Sequence, residues 1–562
     1  MPNLKSTEGH LFGIFRDKLV LDLVEYTGWN SSDCEVLIDF YDPRNPQYLD
    51  RVDAWQRLLC AGAVTSKKDL PRKLWSVGVV KTTPYQSFTI LEANPWHVKA
   101  LHQVVKLLYK YRGEPRKVVN WQEVIDRLSH PGTIKLDKFE VTAMRRKAKT
   151  LRPPFDWSEL MGRFGPGVTA DKKSPFQRWN REFSRPARVP DSLYCCGIRD
   201  WTDTVLPTLR YGITKMAEVP KSLKTNRFVS SEPAGFMFAQ LAVGDAMVKA
   251  LHKAFPNNVS LFDQRRHNSL LMKDGYCSID LSDASDHVSR RLVALLLPDW
   301  KDYLFAVRST FGCAPDGTLF PFRAFAPMGS GVCFPVLTAV CTLLCSYICR
   351  KPFHVYGDDI IVHVSDFDAT VDILTRAGLV VNKAKSCSTT YYRESCGVEI
   401  YHVPGQPILD ITPRYIRQSP EECSVQTIED ILGETQGCQQ PLATTFTHYC
   451  DLALASGAIR GLSYNKRYQY STVVARTQIE LSTPVAVPGY SGLNRWFLVK
   501  PQDQDHGVLK YPSRTRVVYR PIRSTVIPLT VAHWLSGTPA AGVASALANA
   551  LGSRLTVRYT SA

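Results

Sequence analysis

Apolar residues recur at helical spacing in several places along this chain. Phe236, Ala239, Gln240, Val243 and Met247 mark one helix beyond Phe228, and Val288, Leu292, Leu295 and Leu296 mark another, with Ser282 or Ser285 as its cap. Tyr276–Asp280 is short, partly apolar and strand-like. Between Phe353 and Val364, mixed apolar and polar residues flank Tyr356-Gly357-Asp358-Asp359, and a central Gly-Asp predicts a hairpin turn. Val332–Cys349 holds eighteen residues without a charge, followed by Arg350 and Lys351. By length it approaches a membrane span, but Pro335, Thr338, Thr342 and Ser346 favour a helix buried on all sides. Pro and Gly punctuate Arg152–Pro190, which reads as loops, including Pro153-Pro154 and Phe164-Gly165-Pro166-Gly167. Residues up to about 150 mix helical stretches with basic patches (Lys67-Lys68, Arg145-Arg146-Lys147). After about Pro404 the pattern is mixed, with Pro-rich loops between Thr483 and Pro521 and an Ala-rich helix over Pro539–Leu551.

With 44% apolar and 22% charged residues in 562, the chain is globular, too long for one core, and neither disordered nor collagen-like. A net charge of +17 and a pI near 9.2 point to an anionic partner, nucleic acid first. On charge alone, an ordinary basic surface is an equal alternative. The fifteen cysteines form no CxxC pair, and Cys341, Cys345 and Cys349 share a helical face. That pattern fits buried free thiols in a reducing cytoplasm better than disulfides or zinc. Met1–Asp17 has charges throughout and predicts no secretory signal.

The candidate chemistry lies in clustered acids. Asp358-Asp359 sits at the tip of the predicted hairpin, where adjacent carboxylates repel unless a hard divalent cation joins them. A solvated turn is the bland alternative for that pair alone. A second cluster, Asp280-Leu-Ser-Asp283-Ala-Ser-Asp286, begins where a strand ends. Two metals bridged by such carboxylates clamp the attacking and leaving oxygens of a phosphoryl transfer. Asp283 fits better as an acid favoured by a helix N-terminus. Pro327-Met-Gly-Ser330-Gly331 allows close backbone approach to a ligand at a helix start. Lys221, Lys224 and Arg227 recur at three-residue spacing, as cations lining a triphosphate path would, or as a solvated basic loop would.

In this order, the basic loop, Asp-x5-Asp, Gly-Ser-Gly, Tyr-Gly-Asp-Asp, the segment Val380-Val-Asn382-Lys-Ala-Lys385 and Arg393-Glu-Ser-Cys-Gly397 resemble the successive motifs of viral RNA-dependent RNA polymerases. More narrowly, Phe164-Gly-Pro-Gly167, Ile279-Asp-Leu-Ser282 with Ser285-Asp286, and Arg393–Gly397 resemble the replicase catalytic subunit of the small RNA bacteriophages, the levivirus group, over about Arg163 to Tyr401. The resemblance implies an α+β right-hand fold. Its regions would be 1–170 (N-terminal region and part of the fingers), 171–262 (fingers with the basic loop), 263–404 (palm with an antiparallel sheet) and 405–562 (thumb and C-terminal region). It implies template-directed attack of an RNA 3′-hydroxyl on a nucleotide's α-phosphate. Two magnesium ions, with manganese as an alternative, would be held by Asp280 and Asp358, with Asp359 supporting. Lys221, Lys224 and Arg227 would neutralise triphosphate. Asp286, Ser330 and Gly331 would read the sugar and seat the base pair, and Lys385 would donate a proton to pyrophosphate, unless it is an ordinary surface lysine. The Asn that many such polymerases carry after this glycine motif is missing, and Thr338 stands nearby. The implied partners are template and product RNA, ribonucleoside triphosphates, host elongation factors Tu and Ts and, in some cases, a ribosomal protein, without a membrane, in the bacterial host's cytoplasm. A reverse transcriptase, a non-catalytic RNA-binding protein and a membrane-anchored replication factor are the alternatives.

Overall fold

The computed structural model describes residues 8–64, 70–82, 88–111, 118–160, 162, 168–171, 189–190, 208–209, 211–383, 385–417 and 441–455. The Phe164–Gly167 motif, Lys67-Lys68, most of the Arg152–Pro190 loops, the Thr483–Pro521 loops and the Pro539–Leu551 helix lie outside these. The chain divides into two compact units.

The first unit comprises residues 1–28, 183–185 and 418–562. In it, helix Glu8–Thr27 packs against helix Ala443–Ala455. Asp22 accepts the backbone N–H groups of Thr444 and Thr445 at 3.0 and 2.7 Å, together with the Thr445 hydroxyl. These amides open the second helix, so a carboxylate there satisfies donors that have no partner within the helix. Phe15 meets Tyr449 edge to face with centroids 5.7 Å apart.

The second unit, residues 29–182 and 186–417, is α+β, as expected. Its main core surrounds helix Cys333–Ile348, whose Val336, Val340, Cys341, Leu343 and Leu344 are fully buried, as its uncharged sequence predicts. Helix Ala234–Ala254 lies against it. Among the described residues it is the one helix long and apolar enough to cross a membrane, yet its Ala239, Val243, Met247 and Leu251 are buried in this core.

Three of the sheets among the described residues position the candidate site. One is antiparallel in the order His354–Tyr356, Asp359–His363, Tyr276–Ile279. The predicted hairpin is there: Tyr356 pairs with Asp359, leaving Gly357 and Asp358 as the two turn residues. The second contains Leu319–Pro321, Phe311–Cys313, Ile213–Pro220 and Asn226–Ser231, antiparallel except for the two middle strands. Helix Trp121–Ser129 packs on this sheet through Val124 and Leu128, against Met216, Phe228 and Phe320. The third joins Tyr392–Ser395, Val398–Tyr401 and Leu409–Asp410.

Two expectations are corrected. The apolar stretch after Asp280 is not one helix capped by Ser282 or Ser285. A short helix Ala284–His287 ends at extended Val288, and a second, Arg290–Leu296, starts where the Ser289 hydroxyl accepts from Leu292 N–H. The break occurs because Ser289 bridges to Ala324 and Phe325 N–H donates to Val288 carbonyl, so tertiary strand contacts override the apolar spacing. The cysteines are not all free. Cys60 and Cys387 form a disulfide with their Cα atoms 5.4 Å apart, brought together across 327 residues by packing that no local spacing signals. Cys341, Cys345 and Cys349 are free thiols, as predicted.

Candidate active site

The acids meet because the sheet register aligns them. Ile360 pairs with Ile279, so Asp359 and Asp280 stand at adjacent strand ends, with Asp358 in the turn just before Asp359. The turn needs Gly357, whose φ is +66° and whose Cβ would lie 2.4 Å from a Phe334 ring carbon. Thr338, in the central helix, accepts from Gly357 N–H at 3.0 Å while donating to Phe334 carbonyl at 2.9 Å. Thr338 therefore anchors the hairpin tip, and Phe334 covers it, its ring 5.1 Å from that of Tyr356.

Asp280 is half-buried and held on several sides. Asn382 Nδ2 donates to its carboxylate at 2.9 Å, Lys385 Nζ lies 3.6 Å from the same oxygen, and the Ser386 hydroxyl accepts from its N–H at 3.0 Å. Burial raises the Asp358 pKa, and the Asp280 charge raises it further. Burial, then Asp358 and Glu394, push Asp359 up to about 7. Asp359 accepts from the Cys396 thiol at 3.4 Å, so its carboxylate is partly engaged on that side. Among the described residues, no three His, Cys, Asp or Glu side chains close around one point as a metal cage would. The donor chemistry nevertheless fits a hard cation, since the carboxylate charges that raise Asp358 and Asp359 are ones such a cation would neutralise.

Lys221–Thr225 forms the loop of the hairpin Ile213–Pro220/Asn226–Ser231, docked by Leu223 N–H on the Tyr109 carbonyl. Burial lowers the Lys221 pKa; Lys385 and Arg227 lower it further, against opposing pulls from Asp280 and Asp283. Lys221 and Lys385 are thus within electrostatic reach of the acids, and Arg227 within reach of Lys221. Lys224 is not brought there; it pairs with Asp53 at 2.7 Å. Burial lowers the Lys385 pKa, but Asp280 and Glu394 outweigh that and leave it raised.

Ser330 and Gly331 are clamped from below. Gln240 Oε1 accepts from the Ser330 hydroxyl at 3.1 Å and Gly331 N–H at 2.9 Å, while its Nε2 donates to Val307 carbonyl at 3.1 Å. Asp286 is buried, accepting from Arg127 Nε at 3.2 Å and from the Ser285 hydroxyl at 3.0 Å. Asp283, in the left-handed region with φ 45°, makes no capping bond. The Cys333 thiol lies among these groups. Burial, then Asp286, Asp358 and Glu232, push it up to about 12.

The Arg393–Gly397 motif braces this assembly. Buried Arg393 donates to the carbonyls of Lys273 and Tyr276, Glu394 N–H donates to the Ser278 hydroxyl, and Ser395 bonds His267 at 2.8 Å. Sequence reasoning gave no site role to Arg127, Gln240, Asn382, Ser386 or Cys396, although Asn382 and Cys396 lie in motifs it singled out. Gln240 carried a signal, as a polar residue inside an apolar helical stripe. Arg127 carried none, lying 159 residues from its partner.

Residues 184–432 match the family model "RNA replicase, beta-chain". The "RNA-directed RNA polymerase subunit beta" of Enterobacteria phage SP is 33% identical over 226 residues, 38% of each chain. That of Escherichia virus Qbeta is 33% identical over 211 residues, 36% of this chain and 35% of the relative. The "RNA-directed RNA polymerase beta chain" of Escherichia phage MS2 is 30% identical over 213 residues, 36% of this chain and 37% of the relative. The matched stretch thus spans less than two fifths of these relatives. The resemblance to the replicase catalytic subunit of the small RNA phages is borne out over that stretch, which contains the acids, the basic loop and the Arg393–Gly397 motif.

Proposed function

We propose that the chain is an RNA-directed RNA polymerase that copies a single-stranded RNA phage genome from ribonucleoside triphosphates. The observation that carries this reading is the alignment of Asp280 with the Asp358-Asp359 hairpin on adjacent strand ends. Asp280 and Asp358, with Asp359 beside them, are suited to divalent cations, magnesium first and manganese as an alternative. Two such ions would supply activation of the attacking 3′-hydroxyl and stabilisation of the leaving oxygen.

The chain's own residues do the rest. Lys221 and Arg227 neutralise the triphosphate, and Lys224, tied to Asp53, steadies the loop that carries them. Lys385, its ammonium strengthened by the surrounding carboxylates, carries the proton for the leaving pyrophosphate. Ser330 and Gly331 seat the base pair on the Gln240 support, and Asp286 accepts from the ribose 2′-hydroxyl. Template and product RNA are the polyanions that a +17 chain attracts. The relatives' "beta" designation supports further subunits, and elongation factors Tu and Ts with a ribosomal protein, in the cytoplasm of the bacterial host, are the proposed set.

The test is incorporation of labelled ribonucleotides on an added RNA template, with and without magnesium and these host factors. Polymerase action gives a product that needs both template and magnesium. Template binding without product in every combination favours a non-catalytic RNA-binding protein. Preferential use of deoxynucleotides favours a reverse transcriptase.

A further inference from the structure

Asp286 is deeply set: 2% of its side chain is exposed, against 27% for Arg127. Arg127 comes from helix Trp121–Ser129, outside the family-matched residues 184–432. Its position is built in. The carbonyl of the next residue, Leu128, accepts backbone N–H groups from both Arg323 and Ala324 at 2.9 Å. Ala324 in turn bridges Ser289, three residues beyond Asp286. The Leu128 side chain is fully buried against the sheet that carries the Lys221–Arg227 hairpin. One end of this helix is therefore tied both to the nucleotide loop's sheet and to the segment following Asp286.

We infer that Arg127 is the positioning residue for Asp286, holding its carboxylate charged and aimed so that it accepts from the 2′-hydroxyl of the incoming nucleotide. The inference rests on the sugar-reading role given to Asp286 above. A carboxylate has about four acceptor sites. Arg127 Nε on one oxygen and the Ser285 hydroxyl on the other fix its plane and leave capacity for a sugar hydroxyl. The other charged or titratable groups around Asp286 are the Cys333 thiol from the central helix and Asp283 on its own element, whose carboxylate also lies 3.8 Å from Arg127 Nε; His287 feels Asp283 and Arg127. Arg127 is the cation among them that meets it directly. Burial pushes Asp286 up to about 6, and Arg127 is the largest opposing influence. Without Arg127 the group takes up its proton nearer neutrality, and a neutral carboxyl presents a donor where the sugar needs an acceptor.

The experiment compares incorporation efficiency for ATP and dATP by the full chain, parent and variants, at pH 7 and pH 9. For Arg127→Gln the ATP:dATP ratio should fall roughly tenfold at pH 7 and recover at pH 9, while the parent's ratio stays level. A parental ratio at pH 7, or a loss equal at both pH values, overturns the proposal; a merely structural brace would not give the recovery. Arg127→Lys keeps the charge without the planar Nε donor and decides the matter if the Gln variant does not fold. A drop of a few-fold is predicted for it, and an unchanged ratio overturns the proposal. Asp286→Ala, run alongside, separates the two layers. If it keeps the parental ratio, the sugar-reading role itself fails and Arg127's role with it. If it loses discrimination while both Arg127 variants keep theirs, only Arg127's role falls.

Discussion

A fully buried Glu232 has the Ser309 hydroxyl as a close donor, and burial pushes its pKa from 4.5 up to about 7. A carboxyl that binds its proton more tightly when folded stabilises the fold fully below about 4.5, its unfolded value. That contribution is lost as pH rises through about 7. Glu232→Gln should flatten this part of the pH dependence and raise stability at pH 8 by at most about 3 kcal/mol. Thermal melts from pH 4 to 8 check it, and an unchanged slope contradicts it. At Asp358 the prediction concerns metal. Magnesium should raise the parent's melting temperature through mass action and leave that of Asp358→Asn unmoved. Asp280, Asp358 and Asp359 stood out in the sequence as candidates because paired acids at strand ends have little structural reason to be there. The bond from Gly357 N–H to Thr338 had no sequence signal, since it depends on a helix and a hairpin meeting.

The hairpin and its neighbouring strand are short elements with strong local signals, and both were read correctly. The helix break at Val288 was not, and the Arg393–Gly397 motif was singled out without its bracing contacts, because both are dictated by backbone groups far away in sequence. Thr338→Val should leave the buried Gly357 N–H without its partner, costing about 1–3 kcal/mol, and loosen the turn that carries Asp358. Melting and incorporation should fall together, and Thr338→Ser should restore both. Gly357→Ala should do more damage, since a Cβ there meets both the Phe334 ring and an unfavourable φ. If Thr338→Val behaves as the parent in both measurements, the hairpin does not depend on this anchor.

The matched segment does not make the site alone. Val124 and Leu128 complete the core beneath the basic hairpin, Tyr109 docks its loop, and Arg376 forms a bidentate ion pair with Glu140 at 2.6 and 2.7 Å. A chain trimmed to residues 184–432 should therefore lack the parent's cooperative thermal transition, as circular dichroism would register. Sequence revealed the α+β class and the order of motifs. It could not show that residues before 150 reach the acids, because such contacts have no periodicity to betray them. In the proposed function, nucleotidyl transfer depends on Asp280 and Asp358. The most direct test is magnesium-dependent incorporation of labelled ribonucleotides on an RNA template by Asp358→Asn beside the parent, with RNA binding measured on the same samples. Near-complete loss of incorporation with RNA binding retained is the predicted result, and activity within a few-fold of the parent would contradict the account.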